Sequence, residues 1–256
     1  MRLSGKVAIV SGCALGIGRS CAIVYAKEGA KVVAGDINDA DGEETVAMIK
    51  SDGGEAIYVH ADVSVASEVE NLVKVTIDRY NKIDILLNVA ATPQKHMPIE
   101  EMDDAMWDRV YATNVKGIFH TMKYVIPHMK KARSGAIINI GATAGIKPPN
   151  PDCSALASSK GAVITLTKEV AMELIPYDVR VTCINPSGTD TPMLKKIGED
   201  ARAAGVGMSF EGAKHKGLFG GRLTKPEEIA YAAVFLASDE ALMLSGINLD
   251  FTGGNP

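Results

Sequence analysis

The chain contains 256 residues, of which 46% are hydrophobic and 23% charged, with a net charge of −4. That length suits one domain, or at most two small ones, and buries a core without disulfide or metal staples; disordered, collagen-like and fibrous chains are excluded. The acidic balance speaks against a broad electrostatic grip on nucleic acid or anionic membrane, so neither is expected as a partner.

Short β-branched runs alternate with helical patterns along the whole chain. Residues 1–5 are too few and too polar for a secretory signal, and a strand is expected at once over 7–10. A helix over 16–27, a strand over 31–34 and a helix over 40–50 follow. Next come a strand over 56–60, a helix over 66–80 and a strand over 83–87. A long helix is expected over 103–131, then a strand over 136–140, a helix over 154–174 and a strand over 179–184. A helix over 226–237 and a strand over 246–250 complete the series. Apolar strands between periodic helices imply right-handed βαβ units and a parallel sheet covered on both faces. The expected fold class is α/β: a single-domain, Rossmann-like doubly wound sheet over 1–256. No linker, internal repeat or apolar run long enough to span a membrane interrupts it. Ligands in such folds bind at the carboxyl ends of the strands.

Two stretches break this rhythm. Residues 91–102 form an irregular connection containing Pro93 and Pro98. Residues 187–223, with glycines at 198, 205, 207, 212, 217, 220 and 221, read as a substrate lid, with an exposed helical excursion as the alternative. Met193 and Met208 in that stretch suit an adaptable apolar pocket. Cys13, Cys21, Cys153 and Cys183 show no C-x-x-C spacing and read as reduced thiols of a cytoplasmic protein. His60, His120, His128 and His215 show no metal-ligand spacing, and no metal is expected.

The first strand runs directly into Gly12, followed by Leu15, Gly16, Ile17 and Gly18. Glycines at a strand-to-helix turn let backbone N–H groups approach a pyrophosphate, and the helix that follows points its positive end there. The second strand ends at Asp36, 18 residues after Gly18. An acidic side chain at that place accepts from the adenosine ribose hydroxyls and repels a 2′-phosphate. Neither Leu15 nor Ile37 offers a basic partner for such a phosphate, so NAD is expected rather than NADP. Asp62 and Val63 after the third strand suit an adenine contact, through the carboxylate and the backbone respectively. Ser64 also suits a helix cap.

These residues resemble the short-chain dehydrogenase/reductase family over nearly the whole chain. The Gly-x-x-x-Gly-x-Gly turn is Gly12, Gly16 and Gly18; the strand-end acid is Asp36; the Asp-Val pair is Asp62 and Val63. The family's Asn-Asn-Ala-Gly segment appears as Asn88-Val89-Ala90-Ala91, with two of four positions changed. Its asparagine matches Asn114, its lysine matches Lys160, and its Asn-Pro-Gly stretch appears as Asn185-Pro186-Ser187, followed by Thr189 and Thr191. The closing Asp-Gly-Gly region resembles Asp250 to Gly254.

The resemblance implies hydride transfer between NAD(H) and the carbinol or carbonyl carbon of a small secondary alcohol or ketone. It places the cofactor against Gly12, Leu15, Gly16, Ile17, Gly18, Asp36, Ile37, Asp62, Val63, Asn88, Ala90, Lys160, Pro186, Thr189 and Thr191. It assigns catalytic positions to Asn114, Lys160, Ala142 and Leu156. At the last two the pattern fails. The family's tyrosine precedes its lysine by four residues, one helical turn on the same face, and that position holds Leu156. Alignment on Asn139 and Gly145 puts Ala142 at the serine position, with Thr143 facing the other way. A positioned general acid contributes about 10²- to 10⁴-fold in rate, and one oxyanion hydrogen bond about 10²- to 10³-fold.

Three readings stay open. The chain is a working dehydrogenase from which the reacting groups were deliberately removed, a divergent enzyme using a surrogate acid among Lys95, His96, Asp152 and Cys153, or a dinucleotide-binding pseudoenzyme. The helices over 103–131 and 154–174 resemble the pair that forms a four-helix interface in family oligomers. Ala157, Gly161, Ala162 and Ala171 allow close approach there, so a homotetramer is expected.

Overall fold

The computed structural model describes residues 1–147, 152–203, 205 and 222–253. Seven strands form one parallel sheet: β1 (Val7–Ser11), β2 (Lys31–Asp36), β3 (Ala56–His60), β4 (Ile85–Asn88), β5 (Gly135–Ile140), β6 (Val179–Pro186) and β7 (Asn248–Phe251). Their order is β3-β2-β1-β4-β5-β6-β7, and every neighbouring pair is parallel. The order reverses between β1 and β4, which opens a crevice at their carboxyl ends.

The alternation of side chains along β1 shows why the sheet needs two covers. Ala8 and Val10 face one core with Cys21, Ala22 and Tyr25 of α1 (Gly16–Lys27) and Val46 and Ile49 of α2 (Asp39–Ser51). Ile9 faces the opposite core with Leu72 and Val73 of α3 (Ala66–Tyr80). Every residue of β1 is buried. Such strands read as continuous apolar runs rather than as alternation. The first cover also includes α8 (Pro226–Ala237); the second includes α5 (Gly117–Ala132) and α6 (Ser154–Leu174).

The expected fold class holds, and the expected helices over 16–27, 66–80, 154–174 and 226–237 coincide with the observed ones. The helix expected over 103–131 does not run unbroken. It comprises α4 (Asp104–Tyr111), a widened π turn over Ala112–Lys116, and α5. Asn114 lies buried within the widened turn. The stretch over 187–223 is only partly described, and within it a helix, α7 (Pro192–Ala203), follows Thr191. The glycines at 207, 212, 217, 220 and 221, together with Met208, His215 and Gly254, lie outside the described residues. Ser64 does not cap α3. The helix starts one residue too late for it, with Val65 at the capping position, and the Ser64 hydroxyl donates to Asp62 Oδ1 at 2.7 Å.

Candidate active site

The loops leaving β1 and β4 meet at the reversal point. Val89 N–H and Ala90 N–H both donate to Ser11 O at 3.1 Å. Gly12 has φ +76°, and a Cβ there would stand 2.5 Å from Ala90 N. Glycine is therefore required on two counts, the left-handed backbone and the close approach of a second loop. Gly16 faces the far side of the crevice, where an added Cβ would lie 3.1 Å from Thr191 Cγ2. Thr191 in turn accepts from Leu194 N–H at 3.2 Å and starts α7. The start of α1 has no side-chain cap and no acidic residue in its first turn, so its outward N–H groups and positive end suit an anion.

Asp36 is fastened to this turn. Its Oδ2 accepts from Ala14 N–H at 2.8 Å and its Oδ1 from Asn38 N–H at 3.0 Å. Leu15 and Ile37 beside it are exposed apolar side chains. Arg19, in the first turn of α1, is already engaged. Its guanidinium donates to Ala14 O and Asp41 and pairs with Glu44 at 2.8 Å. On the next loop, Asp62 Oδ1 accepts from Ser64 N–H and hydroxyl. Val63 gives up its carbonyl to His120 Nδ1 at 2.9 Å, which gives His120 a role in the core.

Below the crevice floor runs a buried polar chain. Thr121 donates to Asn88 Oδ1 at 2.8 Å, Asn88 Nδ2 to Asn139 Oδ1 at 2.8 Å, and Asn139 Nδ2 to Thr167 Oγ1 at 2.9 Å. It links α5, β4, β5 and α6 through two residues that are register partners in the sheet. The Asn88 side chain therefore serves the scaffold, and its backbone is what remains for the crevice.

Asn114 lies in the π turn, fully buried. Its Oδ1 accepts from Thr92 N–H at 2.8 Å, and its Nδ2 donates to Thr92 O at 3.2 Å and Ser159 Oγ at 3.1 Å. It binds the irregular 91–102 connection to α6. Lys160, on α6, is 6% exposed and donates to Ile140 O at 2.9 Å. Burial pushes its pKa down to about 8. Ala142 follows β5 in extended backbone, and the short 3-10 turn Thr143–Gly145 presses on α6. A Cβ on Gly145 would stand 2.5 Å from Lys160 C and Gly161 N. Thr143 turns its hydroxyl to Pro186 O at 3.4 Å. Thr189 is buried, with its hydroxyl donating to Ser187 O.

Leu156 sits in the first turn of α6, half-buried. Its N–H donates to Gln94 Oε1 at 3.0 Å, while Gln94 Nε2 donates to Asp152 O at 3.1 Å. Two residues on, His96 is buried with Nδ1 3.4 Å from Cys153 Sγ. Burial, helped by Asp152, raises that thiol to about 11. Sequence reasoning missed Thr92, Gln94, Ser159 and Arg19. A buried asparagine in a β-branched strand is a readable signal for Asn88 and Asn139; Gln94 gives none. No group of His, Cys, Asp and Glu among the described residues could hold a metal, and no described helix is long and apolar enough to cross a membrane.

A glycine turn hydrogen-bonded to the acid of the next strand, beside the point of strand reversal, marks a dinucleotide-binding α/β protein. The family is narrower than that class: the chain belongs to the short chain dehydrogenases, whose pattern matches residues 6–202, and is a dehydrogenase/reductase of that family. It is 34% identical over 254 residues to the 3-oxoacyl-(acyl-carrier-protein) reductase of Thermotoga maritima, covering 99% of each chain. It is 32% identical over 257 residues to the cyclopentanol dehydrogenase of Comamonas, covering 99% of this chain and 98% of that one. Among solved structures, it is similar to the 3-ketoacyl-(acyl-carrier-protein) reductase of Brucella melitensis complexed with NADH, with a TM-score of 0.87, 33% identity and 98% coverage of each chain.

Proposed function

We propose that the chain is an NAD(H)-binding short-chain oxidoreductase for a small secondary alcohol or ketone, in a form whose chemistry is disabled at two positions. The observation that carries this reading is Lys160. It is buried, held by Ile140 O, and four residues from Leu156 on one face of α6. In this reading Leu156 and Ala142 stand where the family places a tyrosine and a serine. A leucine donates no proton and an alanine polarises no oxygen, so both proton delivery and oxyanion stabilisation are lost.

The chain's residues fit the cofactor. The turn at Gly12 leaves no room for a Cβ, the start of α1 is uncapped, and the Asp36 carboxylate is fixed beside both. Bound there, NAD(H) supplies or accepts the hydride. Asp36 would take the adenosine ribose hydroxyls, and its charge, with Arg19 neutralised by Asp41 and Glu44, disfavours a 2′-phosphate. Asp62 and Val63 N–H would meet the adenine, and Lys160 the nicotinamide ribose. Thr191 and the backbone around Thr189 would meet the carboxamide, with Pro186 lining the cofactor site, and Asn114, which ties Thr92 to Ser159, would keep a structural water. We take residues 187–223 as the lid, with α7 within its described residues, and the assembly as a cytoplasmic homotetramer.

The deciding experiment restores Leu156→Tyr together with Ala142→Ser and screens secondary alcohols for NADH formation. Turnover should rise by at least about 100-fold over the unaltered chain. Silence across a broad panel, with NADH still bound, would instead make the protein a cofactor-binding pseudoenzyme. One contact favours a second reading, a divergent enzyme: His96 Nδ1 lies 3.4 Å from the thiol of Cys153, itself three residues before Leu156. If that pair is a surrogate acid, His96→Ala lowers the turnover of the unaltered chain.

A further inference from the structure

The adenosine side of the crevice carries a side-chain bridge that the contacts above do not use. His60 ends β3, in register with Asp36 on β2. Its Nδ1 lies 2.7 Å from Asp39 Oδ1 in the first turn of α2, and its Nε2 lies 3.7 Å from Glu68 Oε2 in the first turn of α3. Each carboxylate is tied in turn to one loop of the site. The Tyr58 hydroxyl lies 2.7 Å from both Asp39 Oδ1 and Asp36 O. Glu68 Oε2 accepts from Asp62 N–H at 2.7 Å. One continuous chain of polar groups thus runs from Asp36 through Tyr58, Asp39, His60 and Glu68 to Asp62.

We propose that His60 is a positioning residue for the adenosine half of the cofactor: as an imidazolium it clamps the β2–α2 loop to the β3–α3 loop and so sets the separation of Asp36 and Asp62. This rests on reading those two residues as adenosine contacts. Only the imidazolium carries a proton on both ring nitrogens; a neutral ring must turn a lone pair toward one of the two carboxylates. The charged groups facing His60 are Asp39 from α2, Glu68 from α3 and Asp62 from the loop before α3, while Tyr58 of its own strand shares Asp39 Oδ1. The hydrogen bond to Asp39 is the first cause that raises the His60 pKa above its ordinary value, and the same bond lowers that of Asp39. A raised folded pKa means that the clamp is complete below about pH 6.5 and is lost as pH rises through the raised value.

The bridge is half-exposed, with 52% of the His60 side chain open to solvent, so its effect is limited to about three- to fivefold in affinity. The test measures ADP-ribose binding by displacement of NADH fluorescence at about pH 6 and about pH 8.5, on either side of the histidine range. The probe's phosphates are diesters of constant charge over that interval. The unaltered chain should bind about three- to fivefold more weakly at the higher pH. His60→Gln should show the weaker affinity at both, and Asp39→Asn the same flattening. Lys160 titrates in this interval in both proteins, so the difference between them belongs to His60. Equal pH dependence in the unaltered chain and His60→Gln overturns the proposal while leaving the cofactor reading intact. Failure of both NADH and ADP-ribose to bind at millimolar concentration removes the proposal together with the reading beneath it.

Discussion

Asp36 Oδ2 accepts the N–H of Ala14 at 2.8 Å, so the acidic end of β2 and the glycine turn after β1 move as one piece. The carboxylate is oriented before any ligand arrives, and the ordering cost of binding falls accordingly.

Asp36→Ala should weaken NADH binding by about 10- to 100-fold, the range of hydrogen bonds to a charged group. Fluorescence titration measures it.

Arg19, bonded to Ala14 O in the glycine turn, is neutralised by Asp41 and Glu44. In Asp36→Ser combined with Asp41→Asn and Glu44→Gln, the guanidinium is released beside the turn. The affinity ratio of NADPH to NADH should rise by about tenfold, the worth of one charge-assisted hydrogen bond. Paired titrations with the two coenzymes read it directly.

Lys160 has its pKa pushed down to about 8 by burial, against about 10.4 in an unfolded chain. Between these values the unfolded chain binds the proton and the folded chain does not, so this group makes stability rise with pH over that window. The buried thiols of Cys13 and Cys183, raised to about 12 and about 11, tilt stability the other way. Urea midpoints of the unaltered chain and Lys160→Met, compared across the window, isolate the lysine: their difference should move toward the unaltered chain as pH rises.

Asn139→Ala leaves Asn88 Nδ2 buried without its acceptor. It should cost about 1–3 kcal/mol, measured by urea denaturation, with cooperative unfolding retained.

Gly145→Ala places a methyl against the backbone of Lys160 and Gly161. The expected destabilisation is about 1–3 kcal/mol. NADH affinity should fall as well, because the displaced segment carries Lys160.

The sheet and its two helical covers were legible because apolar strands and amphipathic helices state their partners locally; α1, α3, α6 and α8 fall within their expected limits. The glycine turn and Asp36 were legible for the same reason, a strand, a turn and a helix in unbroken succession. α7 answers to the helical alternative for 187–223; the glycines of that stretch favoured a lid, although Thr191 and Pro192 form a regular helix start. The bonds of Gln94 to Leu156, separated by 62 residues, and of Asn114 to Ser159, separated by 45, had no local trace. Side-chain amides find such partners only after the chain has closed on itself. The same holds for the bridge from Asp39 through His60 to Glu68, whose members show no common motif.

The π turn at Ala112–Lys116 amounts to a spare residue stored within α4 and α5. Excising one residue there would let the two segments join as a regular helix, and local hydrogen bonding would improve. The phase of everything upstream would then slip by about 100°, swinging α4 off α6 or pulling Asn114 out of reach of Thr92 and Ser159. A shorter, better-formed helix would thus be a worse component, and the surplus residue is what keeps helix geometry and crevice geometry in step.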